Sequence, residues 1–203
     1  MDGLIYGIEI FATITGVLYV LLEIGQKNIM WYVGIATGAA CAFSFGVQHL
    51  YASMGLNLYY VFVSFWGLYQ WKKDAALLTA GKDSSADASA SESIHLNKLD
   101  RLTLYYSAIG LLIGTPTLYM ILDMTGDSMS MLDSATTVMS IIGTIWLAKS
   151  YWQQWYIWII ANILTTLLCF RTGMYWMTAL YAVYVASAVY GCIHWKKKGQ
   201  YVG

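Results

Sequence analysis

The residues best suited to bind a small molecule are Trp155, Trp158 and Asn162, which lie in an apolar run over 155–172. At about 100° per residue, they fall within about 60° of one another on one helix face, with Asn162 about 10 Å deeper than Trp155. Indoles stack on flat rings and attract cations, and an amide reads a polar edge. The spacing therefore predicts a site for a flat aromatic ligand. The alternative is an aromatic belt at the membrane interface, where tryptophan concentrates.

An internal repeat places these residues in context. Shifted by 124 residues against itself, the chain aligns without a gap and gives 12 identities in the 65 positions between residues 9 and 73. The identities include Trp31-Tyr32 on Trp155-Tyr156 and Trp71-Lys72-Lys73 on Trp195-Lys196-Lys197. A repeat of this length predicts a tandem duplication of one structural unit.

The counterparts of Trp158 and Asn162 in the first copy are Gly34 and Gly38. Glycines spaced in this way let helices pack closely within lipid. We therefore predict a packing role for the two glycines. The second copy has large side chains where the first copy has glycines. This difference favours a substrate pocket that lies to one side of the axis relating the two copies.

Further polar side chains occupy matching positions in the third apolar run of each copy. Asn57 and Tyr60 lie in the first copy, and Tyr181 and Tyr184 lie in the second. Polar groups that face lipid are costly, so these side chains should point into the protein. We predict that they line the pocket, with hydrogen bonds between helices as the alternative. The equivalent acids Glu9 and Asp133 leave a structural pairing and an anionic vestibule open.

The composition defines the class of protein. Hydrophobic residues make up 59% of the 203, and charged residues 11%, against about 25% in soluble domains. Seven apolar runs are long enough for membrane-spanning helices, near 4–22, 29–49, 54–71, 102–122, 134–150, 155–172 and 175–195. The expected fold is an all-α membrane protein with seven transmembrane helices.

The repeat and the seven runs together predict a topology. Each copy contains three spans, so a fourth span between the copies restores the orientation of the second. The result is a 3+1+3 parallel tandem repeat with SWEET-like topology. We expect a first repeat over 1–73, a disordered cytoplasmic tether over 74–100, a connecting helix over 101–122 and a second repeat over 123–203.

The basic residues predict the orientation. If the spans alternate, ten of the eleven Lys and Arg residues lie on one side, and Arg171 is the exception. The positive-inside rule then places the N-terminus outside and the C-terminus in the cytoplasm. The expected location is the bacterial inner membrane.

Several classes of function lack their motifs. The chain has no G-x-x-x-x-G-K-[ST] phosphate loop and no metal-ligand spacing. Every lysine lies at the end of a span or in a loop, whereas a retinal protein would need a buried one. We therefore expect neither an enzyme, nor a cofactor or metal, nor a nucleic-acid partner.

Several motifs, in this order, resemble the PnuC-type family of bacterial vitamin transporters. The first copy contributes Tyr51-Ala52-Ser53, Asn57 to Tyr60, and Gly67 to Trp71. The second contributes Asp133-Ser134, Ser140-Ile141-Ile142, Gln154 to Asn162 with Trp155 and Trp158, and Gly173 to Tyr175 followed by Leu180-Tyr181. These stretches cover most of the chain outside the tether and the fourth span.

We expect a mechanism in which two three-helix bundles rock about a midplane site. The resemblance implies a carrier for an unphosphorylated vitamin that works by facilitated diffusion. A cytoplasmic kinase would trap the product. The resemblance also implies that Trp155 and Trp158 line the substrate site. A homo-oligomer and coupling to an ion are left open.

The resemblance also bears on the substrate. Asn57 followed by Tyr59-Tyr60, and Leu68 after Gly67, look more like the thiamine branch, called PnuT. Thiamine is therefore the predicted substrate. Nicotinamide riboside, which also carries a fixed positive charge on an aromatic ring, is the alternative, and a sugar or small-solute permease is a more distant one.

Overall fold

The computed structural model describes residues 2–48, 51–80, 94–124, 131–171 and 173–202, and this part of the chain forms seven helices and two short strands. The helices are α1 Asp2–Ile24, α2 Ile29–Val47, α3 Tyr51–Ala80, α4 Arg101–Met124, α5 Met131–Ala148, α6 Gln154–Arg171 and α7 Tyr175–Lys198. The strands β1 Ile94–Leu96 and β2 Gly199–Tyr201 pair in a two-stranded sheet. The helices lie where the apolar runs predict them.

Four of the described helices have the length and composition of membrane spans. These four, α2, α4, α5 and α7, are long and apolar enough to cross a membrane, and Thr13–Ile24 forms a shorter apolar stretch. Large apolar side chains cover the outer surfaces of the described helices, as at Phe62 (72% exposed), Leu112 (77%) and Trp176 (91%). Such a surface is stable against lipid and unstable against water.

The chain divides into two compact units, and the first comprises Met1–His95 with Ala148–Ser150 and Lys198–Gly203. In this unit α2 packs against both α1 and α3. The hydroxyl of Thr37 donates to that of Thr15 at 2.8 Å, which joins α2 to α1. On the other side, a Cβ added at Gly38 would lie 2.9 Å from Val61 Cγ2, so α3 approaches α2 closely.

The second unit comprises Leu96–Leu147 and Tyr151–Lys197. The indole N–H of Trp146 donates to the Ser107 hydroxyl at 2.9 Å and joins α5 to α4. At Gly143, an added Cβ would contact Ile157 and Trp158 at 3.3 Å, which shows how closely α5 and α6 pack. The helix α4, predicted as a separate connector, therefore belongs with this unit.

The turn after α1 recurs after α5 with the same hydrogen bonds 124 residues later. Lys27 N–H donates to Leu22 O, and Tyr151 N–H donates to Trp146 O, both at 3.0 Å. These bonds close a Schellman-type end, in which one residue takes a left-handed conformation. Gln26 (φ 48°) and Ser150 (φ 57°) occupy that position, which is usually glycine.

The structure differs from the predicted tether over 74–100 at both ends, and residues 81–93 lie outside the described residues. The helix α3 continues to Ala80, and Gln70 Nε2 donates to the buried Asp74 at 3.1 Å just beyond the predicted end at 73. Residues 94–96 form the buried strand β1.

Hydrogen bonds from the Gln26 side chain to the backbone of β1 explain why this strand is ordered despite the polar sequence before it. Gln26 Nε2 donates to the carbonyl of His95 at 2.9 Å, and the backbone N–H of His95 donates to Gln26 Oε1 at 2.7 Å. The imidazole lies edge-on to Trp71, with ring centroids 5.6 Å apart. The amide side chain of Gln26 thus pairs the backbone groups of His95 as a strand would, in addition to the pairing of β1 with β2.

Candidate functional site

Trp155 lies in a closely packed contact between α6 and α7. Its side chain is 1% exposed, and a Cβ added at Gly191 would lie 2.6 Å from its Cζ2 atom. Its ring also meets Trp195 edge-on, with centroids 5.6 Å apart. Only glycine at 191 leaves room for the indole.

The first unit makes the same contact with the equivalent residues. Trp31 is fully buried, and a Cβ added at Gly67 would lie 2.5 Å from its Cζ2 atom. Its ring meets Trp71 edge-on at 5.0 Å. Because both copies keep this arrangement, it has a packing role that needs no substrate. The prediction that Trp155 contacts the substrate stays a prediction, and its burial favours a packing role.

Trp158 packs differently from Trp155. Its indole lies against Gly143, where an added Cβ would be 3.3 Å from Trp158 Cε2. The equivalent pair in the first unit is Tyr19 and Gly34, where an added Cβ on the glycine would be 3.1 Å from Tyr19 Cε2. The bulky partner is therefore on the second helix of one copy and on the first helix of the other.

In each unit one helix supplies a large ring and the other a glycine, and the two units assign these to opposite helices. This swap accounts for part of the difference between Trp158 and Gly34, which the sequence suggested was functional. The glycine opposite each aromatic ring makes room for it, so Trp158 and Gly34 are compensated by Gly143 and Tyr19. Sequence reasoning missed Tyr19 and Gly143. A comparison of the pair 19 and 34 with the pair 143 and 158 would have found them.

Trp158 nevertheless has a polar group available for a ligand. Its indole N–H is buried and has no hydrogen-bond partner among the described residues. Asn162, one turn deeper on the same face, is half-buried, and its backbone carbonyl accepts from Thr166 at 2.7 Å. A ring face, a free N–H donor and an amide at this spacing can hold an aromatic cation with polar substituents.

In the first unit, α3 lies beside the glycines of α2. A Cβ added at Gly38 would be 3.3 Å from the backbone oxygen of Asn57, and one at Gly34 would be 2.9 Å from Ser64 Oγ. The Asn57 amide donates to Ser53 O at 2.9 Å, and the Tyr60 ring lies 5.5 Å from that of Tyr59. A Cβ at either glycine would crowd a neighbouring helix, which favours the packing role, and that role stays a prediction.

In the second unit, Tyr181 and Tyr184 are half-buried neighbours on α7, with ring centroids 5.8 Å apart. Asp133 lies in the first turn of α5. The side chain of Glu9 lies outside the described residues. In the described part of the chain, no cluster of three or more His, Cys, Asp or Glu side chains could hold a metal ion.

Seven helices, four of them long and apolar enough to cross a membrane, and glycine-mediated packing within each unit define a multi-pass α-helical membrane protein. The family model for the nicotinamide mononucleotide transporter matches residues 6–197. The chain therefore belongs to the nicotinamide mononucleotide transporter family, and its relatives are transporters.

The chain is similar to individual members of this family. It is 31% identical over 194 residues to the nicotinamide riboside transporter PnuC of Neisseria mucosa, covering 92% of this chain and 70% of that protein. It is 24% identical over 207 residues to the protein of the same name from Escherichia coli, covering 93% and 84%.

A solved structure agrees in fold. The crystal structure of the vitamin B3 transporter PnuC superposes with a TM-score of 0.67 at 26% identity, covering 92% of this chain and 79% of that one. These relatives confirm the resemblance to the PnuC-type family. They give no support to the thiamine branch.

Proposed function

We propose that this protein carries nicotinamide riboside across the bacterial inner membrane. The observation that carries the proposal is the 31% identity, over 92% of the chain, to a transporter named for that substrate. The alternative substrate from the sequence is thus better supported than thiamine.

The chemistry of α6 agrees with this substrate. Nicotinamide riboside presents a flat pyridinium ring with a fixed positive charge, which suits the face of an indole. Its ribose hydroxyls and carboxamide need hydrogen-bond partners, because polar groups removed from water are costly when unpaired. The free N–H of Trp158 and the amide of Asn162 can supply two of them. We include Asn57, Tyr60, Tyr181 and Tyr184 as further binding residues.

The proposed arrangement is the 3+1+3 repeat, with α1–α3 and α5–α7 as the two three-helix sets and α4 as the connector. The turns and the Trp–Gly–Trp contacts that recur at a spacing of 124 residues support it. We propose facilitated diffusion by rocking of the two sets, an external N-terminus, a cytoplasmic C-terminus and trapping by a cytoplasmic vitamin kinase.

The test is a parallel titration of the purified full chain in detergent with nicotinamide riboside and thiamine, following the heat of binding. Saturable binding of nicotinamide riboside alone is expected. Tight binding of thiamine alone would overturn the proposed substrate and return attention to Asn57 and Tyr60. An absence of binding by both would overturn the assigned site.

A further inference from the structure

A concave site lies between α4, α5 and α6 in the second unit, and none of the predicted substrate residues lines it. It is a cavity of about 410 Å³, within the range of small-molecule pockets. Its walls are almost entirely apolar and include Leu104, Ala108, Leu111, Met139, Ile142 and Ile157. A sugar or a charged vitamin would lose hydrogen bonds to water on entering it and gain none.

The groove runs along the helices rather than across them. It begins with Leu99 and Gln153, just before α4 and α6 start, and continues to Leu111 and Ile160. From Leu104 to Leu111 the helical rise is about 10 Å. This depth is most of one leaflet of a hydrocarbon core about 30 Å thick. A groove with these dimensions and this direction fits an acyl chain.

The mouth of the groove carries a fixed positive charge. Tyr156 lines the groove, and its hydroxyl accepts a hydrogen bond from Lys196 Nζ at 3.1 Å. The same ammonium lies 4.0 Å above the centre of the Trp152 ring. Lys196 itself is exposed, so two of its donors can reach a phosphate at the membrane surface.

Other groups at the mouth also favour a lipid headgroup. The Oε1 atom of Gln153 is buried and has no hydrogen-bond partner in the described part of the chain. It can accept from a headgroup hydroxyl. Lys98 and Arg101 are exposed at the start of α4, and the one carboxylate between them, Asp100, accepts from Thr103 N–H at 2.9 Å.

We propose that this groove binds one anionic phospholipid, with an acyl chain along α4 and the phosphate at Lys196. The groove is apolar and long enough for an acyl chain, and Lys196 places a positive charge at the end where the headgroup would lie. This lipid site is independent of the proposed substrate.

The repeat supplies a matched control inside the same molecule. Lys72 donates to the Tyr32 hydroxyl at 3.5 Å, as Lys196 does to Tyr156. The counterpart of Trp152 is Asn28, and α4, which forms one wall of the groove, belongs to the other unit. Lys72 therefore has a similar side-chain contact, and neither Lys72 nor Tyr32 is among the residues that line the groove.

The experiment uses the full chain in nanodiscs with phosphatidylglycerol or phosphatidylcholine, each carrying a photoactivatable diazirine in its acyl chain. Cross-linked peptides are identified by mass spectrometry. Phosphatidylglycerol should label the α4–α6 lining, and Lys196→Ala should reduce that labelling about tenfold, as expected for the loss of a charged hydrogen bond. Lys72→Ala should leave it unchanged.

Filling the groove tests the acyl-chain site separately. Ala108→Trp should abolish labelling of the lining, while Ile113→Trp, at a side chain that is 59% exposed on the opposite side of the same helix, should not. Ala108→Ile serves if the larger variant does not fold, as judged by gel filtration. The proposal would be overturned if labelling were unchanged in both Ala108→Trp and Ala108→Ile, or if the two lipids labelled the lining equally. Cross-links from a second copy of the chain would also overturn it.

Discussion

At the residue scale, the two tryptophans of α6 have different roles. Trp155 makes the same contact as Trp31 in the other copy, with a glycine and a second tryptophan. Trp158 has a glycine as its counterpart and is only half-buried, whereas Trp155 is 1% exposed; the indole N–H of each has no hydrogen-bond partner among the described residues. We infer that Trp158 contacts the substrate, and that Trp155 holds α6 against α7.

Trp158→Ala should abolish saturable uptake of nicotinamide riboside, because the ring face and the N–H donor are both lost. Uptake of labelled substrate by cells, at matched protein levels in the membrane, measures this. Trp176→Ala, at a side chain that is 91% exposed, is the control and should transport normally. Unchanged uptake by the Trp158 variant would remove this residue from the site.

The glycines opposite Trp31 and Trp155 should not tolerate a methyl group. Gly67→Ala and Gly191→Ala each place a Cβ within 2.6 Å of an indole atom, and overpacking costs about 1–3 kcal/mol. Thermal unfolding in detergent should show a lower Tm for both. Gly55→Ala, with no atom within 4 Å, is the control and should show no loss. Equal Tm values in all three variants would contradict the packing argument.

At the element scale, the turns after α1 and α5 share one backbone shape but have different side chains. Both place a non-glycine residue in the left-handed region. Gln26 uses its amide to bind β1, whereas the buried Ser150 hydroxyl has no hydrogen-bond partner among the described residues. Equivalent substitutions should therefore have opposite effects.

Ser150→Gly should raise stability by about 1 kcal/mol, because it relieves the left-handed backbone and removes an unpaired hydroxyl. Gln26→Gly gives the same backbone relief but loses two hydrogen bonds to His95, and it should lower stability. Thermal unfolding of the two variants measures the difference. A rise for both would show that the backbone shape alone decides the outcome, and a fall for Ser150→Gly would contradict the expected relief.

Burial of His95 in β1 lowers its pKa from 6.5 to about 4. Between these values the released strand binds more protons than the docked one, so docking weakens as the pH falls from 6.5 towards 4 and is fully favourable above 6.5. Hydrogen exchange at 94–96, corrected for intrinsic rates, should rise relative to other strands and helices between pH 7 and pH 5. His95→Phe should remove this dependence, and its persistence would assign it to another group.

At the scale of the whole molecule, the sequence predicts the helices well and their partners less well. Runs of apolar residues placed all seven helices, because a membrane requires long apolar segments whatever packs against them. The order of β1 was missed, because it depends on Gln26, which is 69 residues away from His95. The swap of a large ring and a glycine between positions 19 and 34 and positions 143 and 158 was also missed. It too depends on a contact between helices that are separate in the sequence.

The orientation is the prediction that belongs to the whole chain. Ten of eleven basic residues lie on one side if the spans alternate, so the C-terminus should be cytoplasmic and the N-terminus external. Single cysteines introduced at each end, in a variant without Cys41, Cys169 and Cys192, can be tested with an impermeant thiol reagent on intact cells. Labelling at the N-terminus alone is expected, and labelling at the C-terminus alone would reverse the topology.

The exchange of bulk between Tyr19–Gly34 and Gly143–Trp158 restricts how the two halves could have diverged from a common ancestor. Converting one arrangement into the other takes two substitutions. After the first of them, the contact holds either two glycines or two large rings. Two rings would clash, whereas two glycines would leave a cavity, whose cost lipid-packed helices can reduce by moving closer together. The history that the contact favours is loss of the old ring first and gain of the new one afterwards, with a loosely packed intermediate in which a ligand could first have found space.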